Sequence, residues 1–217
     1  MTFSYAYQLS DIKFFYDNAF TLQVDNLQIK PGTILGITGP NGSGKTTLLK
    51  ILSFLLMPYF GQIKYFDEIV NPKKLFFMRR QTTLLLQETI LLNRTIFENI
   101  IYGLKVRGDY LELAARVAKA LEMVGLDMDF LAKNTQQLSG GEARRVALAS
   151  RIILSPKILL LDEPFAHIDK QSKQLIFRVL VNLAATCHTT IIFSSHNLAE
   201  INGITDNILE LRRGNIL

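Results

Sequence analysis

The chain has 217 residues, 48% of them hydrophobic and 20% charged, a balance that excludes disorder and allows one large domain or two small lobes sharing a core. Its single cysteine, Cys187, excludes an internal disulfide framework and a cysteine-rich zinc site. The net charge of +5 comes from scattered lysines and arginines, so by itself it does not choose between nucleic acid, anionic headgroups and a bound polyphosphate.

The N-terminal stretch MTFSYAYQLSD lacks a basic segment, an apolar core and a small-residue cleavage site, so no secretory signal is expected and residence in the cytosol follows. Two β-type runs, Ile12 to Tyr16 and Phe20 to Val24, joined by a polar turn at Asp17 and Asn18, predict a small antiparallel sheet. The ring of Tyr16 fits either a core position or stacking on a nucleotide base. Next comes the apolar strand Thr33 to Thr38, the loop GPNGSGKT from Gly39 to Thr46, and a helical run from Thr46 to Leu56. The loop fits G-x-x-x-x-G-K-[ST], and strand, loop, helix is the context that this phosphate-binding motif requires. Gly39, Gly42 and Gly44 let the backbone pass close to phosphate oxygens, while the N–H groups of the loop and the start of the helix face the anion. Lys45 is expected to reach the β- and γ-phosphates and the Thr46 hydroxyl to ligate Mg²⁺. The longest apolar stretch, Leu48 to Phe60, is broken by Lys50 and Pro58 and falls short of the roughly 20 residues of a spanning helix.

Beyond the loop helix, Gly61 to Phe66 reads as a strand, and Leu75 to Gln87 ends in another with Gln87 at its polar tip. From Thr95 to Val106 and Tyr110 to Leu126 the pattern turns helical, with Leu111, Ala114, Ala118, Leu121 and Val124 as the expected apolar face. A helical insertion of about 50 residues thus interrupts the α/β pattern. LSGGE, Leu138 to Glu142, reads as a serine-capped start to the helix GEARRVALASRIIL and a second anion-binding turn at Ser139, Gly140 and Gly141. In KILLLDEP, Lys157 to Pro164, the apolar run implies a strand buried on both faces at the centre of a parallel sheet. If that strand continues, Asp162 and Glu163 project to opposite faces. Asp169 is expected to cap a helix from Lys170 to Ala185 whose core face is Leu175, Ile176, Val179, Leu180 and Leu183. Cys187 and His188, adjacent and without further ligands, read as structural. Strands at Thr189 to Ser195 and Asp206 to Leu217 flank His196 and a short helix.

The phosphate loop, LSGGE and LLLDEP, in this order, make the chain resemble the nucleotide-binding subunits of ATP-binding-cassette transporters over Tyr16 to Gly214. That resemblance implies a phosphate-loop NTPase α/β core with a mostly parallel sheet, an N-terminal antiparallel β subdomain and an inserted α-helical subdomain. On this expectation residues 1–87 and 151–217 form the β subdomain and core, and 88–150 the helical subdomain carrying the signature, within one domain spanning 1–217. It implies that Tyr16 stacks on adenine, and that Gly39, Pro40, Asn41, Gly42, Ser43, Gly44, Lys45, Thr46 and Thr47 hold the phosphates. Gln87 is implied to touch Mg²⁺ or the attacking water and to sense a membrane partner, and Asp162 to hold Mg²⁺ through water. Glu163 matches the residue that orients or deprotonates the water, and His196 the one that contacts the γ-phosphate. Ser139, Gly140, Gly141 and Glu142, with Asp169 in the interface loop, are implied to act on ATP held by a second copy of the chain. Glu142, Asn197 and His167 depart from the commoner family residues, which are glutamine, aspartate and a small residue respectively.

The resemblance further implies an ATPase that uses ATP and Mg²⁺ and closes head to tail on two ATP molecules. Such an engine would drive a separate transmembrane permease docked near Gln87, with a solute-binding protein in the full system and no nucleic acid. Its location would be cytoplasmic, against the inner face of the membrane. The run Leu85 to Gly108 is similar to importers of oxyanions such as tungstate or molybdate. Exporter and lipoprotein-release cassettes, and soluble cassette ATPases acting on DNA or ribosomes, remain alternatives on sequence alone.

Overall fold

In the computed structural model, which describes residues 3–16, 20–205 and 207–217, the β-type runs near the N-terminus pair as expected. Strands β1 (Tyr7–Tyr16) and β2 (Phe20–Ile29) are antiparallel, with Tyr7 opposite Ile29 and Tyr16 opposite Phe20. The turn expected at Asp17 and Asn18, and Asp206 at the head of the last expected strand, lie outside the described residues. The buried set on β1 changes parity between Leu9 and Ile12, because Asp11 takes a φ of 53° where the register slips.

Strand β3 (Ile34–Thr38) leads into α1 (Lys45–Leu52), then β4 (Phe60–Tyr65) and β5 (Glu68–Ile69) extend the antiparallel edge. Helix α2 (Leu75–Gln81) precedes β6 (Thr82–Leu85). The helical insertion comprises α3 (Ile96–Arg107), α4 (Leu113–Met123), two short 3-10 turns and α5 (Gly140–Ile152). The chain closes with β7 (Ile158–Leu161), α6 (Lys170–Cys187), β8 (Thr190–Ser194), α7 (Leu198–Asn202), β9 (Ile208–Arg212) and β10 (Asn215–Ile216). The expected α/β class is observed as a mixed sheet in the order β5-β4-β1-β2-β10-β9-β3-β8-β7-β6. Within it, β3 runs parallel to β9 and β8, and β7 parallel to β8 and β6.

The parallel half is buried on both faces, and its residues sort by parity. Ile158 and Leu160 of β7 and Ile192 of β8 join the cluster built around Leu48, Leu49, Ile51 and Leu52 of α1. Leu159, Leu161, Ile191 and Phe193 face the cluster formed by α3 to α6. Each fully buried side chain in these layers contributes about 1.5–3 kcal/mol of apolar burial. The sheet therefore holds the C-terminal tips of β3, β7 and β8 side by side, where ligands of open α/β sheets bind.

Four expectations need correction. The helix after the phosphate loop ends at Leu52 rather than Leu56, because Phe54 takes a φ of 61° to bury its ring beside Tyr7 and Tyr65. Helix α4 starts only at Leu113, since Glu112 is left-handed with φ 48°, and Leu111 is left outside it. Leu121 and Val124 are buried as expected, with Val117 and Ala120 beside them, whereas Leu111 is 75% exposed and Ala114 is exposed. β7 is not the central strand but lies one place in from β6 at the edge; helices on both sides, not a central place, bury it. Finally, the strand does not continue through Asp162 and Glu163, because the chain turns at Glu163 into the left-handed region.

Candidate active site

Gly39 begins the loop where only glycine fits: its φ is 144°, and a Cβ there would lie 2.1 Å from the Leu211 carbonyl oxygen. Gly44 caps α1 in the left-handed conformation at φ 108°, and no side chain occupies the cap, so the helix N-terminus is left to a ligand. Ser43 sits in the same turn with its Oγ buried and unpartnered. A buried hydroxyl without a partner at a ring of backbone N–H groups is a place prepared for an oxygen-rich anion. Lys45 is 7% exposed, and its Nζ donates to the carbonyls of Gly39 at 2.8 Å and Pro40 at 3.2 Å.

Parallel register brings the distant carboxylates to this loop. Leu161 pairs with Phe193 and Ile37 with Ser194, so the residue after β7 arrives beside Ser194 and the end of β3. Asp162 keeps the parity of Ile158 and Leu160 and points toward α1. There its Oδ2 accepts from Thr46 Oγ1 at 2.7 Å, across 116 positions of sequence, and its Oδ1 accepts from Ser194 Oγ at 2.7 Å. Had the strand continued, Glu163 would have pointed to the opposite face. Instead it turns to a φ of 46°, its N–H donates to Ser194 Oγ at 2.9 Å, and its carboxylate swings back over the loop. Its Oε1 lies 4.0 Å from Lys45 Nζ, and its Oε2 lies 3.0 Å from His196 Nδ1. Both carboxylates thus serve one cavity.

That cavity has a volume of about 530 Å³ and is lined by the loop from Asn41 to Thr47, with Tyr16, Gln87, Asp162 and Glu163. Tyr16 is 41% exposed and packs its ring edge-on against Phe14 at 4.8 Å, leaving a face free at the rim. Gln87 lies beyond the end of β6 and is exposed. A larger cavity of about 630 Å³ between α4 and α6, lined by Lys119, Glu122, Leu175 and Cys187, has no glycine-rich helix start among its lining residues.

The second turn stands apart. Ser139 caps α5 as expected: its Oγ accepts from Glu142 N at 3.3 Å, and Glu142 Oε2 accepts from Ser139 N and from Ser139 Oγ, each at 2.8 Å. These bonds from Ser139 hold the Glu142 carboxyl below its ordinary range. Gly141 packs against α6, where a Cβ would meet Ser172 Oγ at 2.6 Å and Asp169 Oδ2 at 2.8 Å. Asp169 caps α6, accepting from Ser172 Oγ and Ser172 N, which lowers its carboxyl. Neither Ser139, Gly140, Gly141, Glu142 nor Asp169 lines the cavity of the phosphate loop in its own chain. Pro40 and Gly39 support that cavity through their carbonyls on Lys45.

Sequence reasoning missed three residues here. Ser194 bridges Asp162 and Glu163; its only signal was a serine closing a buried strand. Phe20, opposite Tyr16, lines the same cavity. Arg144 is buried beneath the carboxylates and carries no motif of its own.

The model of the ABC transporter family matches residues 22–166. The tungstate uptake ATP-binding protein TupC of Peptoclostridium acidaminophilum is 36% identical over 96% of this chain and 95% of its own length. TupC of Campylobacter jejuni is 31% identical over 97% of this chain, which spans 62% of that protein. Among solved structures, cbiO1 of Clostridium perfringens superposes with a TM-score of 0.89 at 27% identity, covering 99% of this chain and 87% of that one. The dimeric cassette MJ0796 superposes with a TM-score of 0.84 at 25% identity, covering 97% and 96%.

Proposed function

We propose that this chain, which belongs to the ABC transporter family, couples ATP hydrolysis to import of a small oxyanion through a separate permease. It is an ATP-hydrolysing cassette. The observation that carries the cargo reading is the end-to-end similarity to a tungstate uptake protein, 96% of this chain against 95% of that one. Among the described residues no helix is long and apolar enough to cross a membrane, which is consistent with a permease on another chain. Association with that permease, at the inner face of the cell membrane, and with a solute-binding protein completes the proposed system.

In this reading the N–H groups of Asn41, Gly42 and Gly44 to Thr47 and the Lys45 ammonium bind the β- and γ-phosphates, with Ser43 Oγ as a further donor while its N–H is held by the Pro40 carbonyl. Tyr16 stacks on the adenine. A hydroxyl and a carboxylate converging at 2.7 Å suit a hard divalent cation that takes oxygen ligands. Thr46 and Asp162, with Gln87 at the rim, would hold Mg²⁺, whose charge offsets that on the phosphates. Glu163 orients the water and takes its proton at a carboxylate oxygen, while His196 holds Glu163 Oε2 and reaches the γ-phosphate. Ser139, Gly140, Gly141 and Glu142, with Asp169 behind them, meet the ATP of a second copy arranged head to tail. The likeness to a dimeric cassette over 97% of the chain supports this arrangement.

The cargo is tested in cells lacking this chain, by measuring accumulation of tungstate, molybdate and sulfate. Loss of one oxyanion, restored by the wild-type chain but not by K45A, is expected. Unchanged accumulation of all three overturns the oxyanion reading.

A further inference from the structure

Among the described residues Arg144 is the most heavily bonded buried side chain, and neither the phosphate loop nor the signature turn explains it. It sits on α5, 3% exposed, where a charged side chain is costly unless every donor is used. Its guanidinium has five N–H groups and meets six acceptors: Pro164 O from Nε at 3.3 Å; Leu86 O, Gln87 O and Thr89 Oγ1 from Nη1 at 2.7, 3.0 and 3.0 Å; and Asp162 O and Glu163 O from Nη2 at 2.9 and 3.0 Å. Burial pulls its pKa down to about 10, with the Asp162 and Glu163 carboxylates opposing, so the group stays charged at neutral pH.

The identity of these acceptors matters. β6 has ended at Leu85 and β7 at Leu161, so the carbonyls beyond them have no strand to pair with. One set belongs to the segment carrying Gln87, the other to the segment carrying Glu163. A planar fork can bond both at once, which a lysine's point charge cannot reproduce. Glu163 moreover holds a left-handed φ of 46°, a conformation that persists only where its surroundings impose it.

We propose that Arg144 is a positioning residue for hydrolysis, holding the Gln87 and Glu163 segments in one fixed relation above the phosphate loop. It binds no phosphate itself. Removing the fork therefore lets Glu163 drift relative to the nucleotide while Lys45 and the loop N–H groups still hold ATP. The inference rests on the reading of Glu163 as the residue that acts on the water.

The test uses the full-length chain as R144K, R144Q and T89V, with E163Q in parallel. Phosphate release is measured against ATP concentration, binding of a fluorescent ATP analogue at equilibrium, and amide hydrogen exchange by mass spectrometry. R144K and R144Q are expected to lose about 100-fold in kcat, the scale of a misplacement of about 1 Å, with nucleotide affinity within about threefold of wild type. Exchange should rise across residues 86–89 and 162–166 but not across 39–47. T89V removes one acceptor and should cost about threefold in kcat with KM unchanged. The proposal is overturned if folded Arg144 variants keep wild-type kcat, or if nucleotide affinity falls in step with turnover. An exchange rise that includes the phosphate loop also overturns it. Should neither Arg144 variant fold, T89V decides, and an unchanged kcat there rejects the proposal. Full turnover by E163Q would instead reject the reading of Glu163, independently of Arg144.

Discussion

Two glycine-rich turns open helices in this chain, and they are finished in opposite ways. At α1 the cap is a left-handed glycine with no side chain across it, and the N–H groups face a cavity containing Lys45, Asp162 and Glu163. At α5 the cap is closed by Ser139 and Glu142 on each other, and Ser139 and Gly140 are exposed. The same local chemistry thus yields a receptacle lined by its own chain's lysine and carboxylates in one place and a partly satisfied turn away from that cavity in the other. A glycine-rich helix start becomes a phosphate site when the surrounding fold supplies cations and leaves the N–H groups unspent. At the α5 turn the Ser139 N–H and hydroxyl are spent on Glu142, whereas the Gly140 and Gly141 N–H groups are not bonded by it.

The contrast can be broken most severely at the first turn. K45A is expected to lower phosphate release by at least about 100-fold and to weaken ATP binding, since it removes the Lys45 ammonium from the cavity and from beside Glu163. An unchanged rate would remove the phosphate-loop reading altogether. E163Q should release phosphate about 100-fold more slowly while ATP affinity holds, and light scattering with ATP should show the dimer accumulating. Rapid turnover by this variant is the adverse result.

At the second turn the effects are smaller and of a different kind. S139A loses the cap and is expected to destabilise the fold by about 1 kcal/mol, with a fall in Tm and weaker ATP-driven association in an E163Q background. Nucleotide affinity of the isolated chain should stay as it was, because the turn does not line its own cavity. E142Q should change least near neutral pH, since an amide oxygen can still accept from Ser139. Its signature lies in acid. The Glu142 carboxyl is held below the ordinary 4.5 by bonds from Ser139, so its contribution is present above 4.5 and is lost as pH falls through its lower folded value. Thermal unfolding from about pH 6 to about pH 3 should therefore be slightly less acid-sensitive in E142Q than in wild type, and identical profiles would show that the carboxylate bond contributes nothing.

The legible parts of the site were contiguous. The left-handed cap at Gly44, the Ser139–Glu142 capping box and the Asp169 cap are each built from residues within one turn of themselves, and all three open helices where expected. The opposite faces expected of Asp162 and Glu163 were not observed, because a strand ends where its hydrogen-bond partners end, and alternation cannot announce a left-handed turn. The face of α4 was legible at Leu121 and Val124 but not at Leu111, which the left-handed Glu112 leaves outside the helix.

By itself, then, the sequence determined where glycine-rich turns open helices and that the strand Ile158–Leu161 is buried on both faces, because turn chemistry and apolar runs are local properties. Only the tertiary structure decided that Ser194 would bridge Asp162 and Glu163, that both carboxylates would share one cavity, and that Arg144 would bind both segments beneath them. Those relations depend on the register of β3, β8, β7 and β6, which is set by packing between residues far apart in the chain and has no spacing of its own to be read.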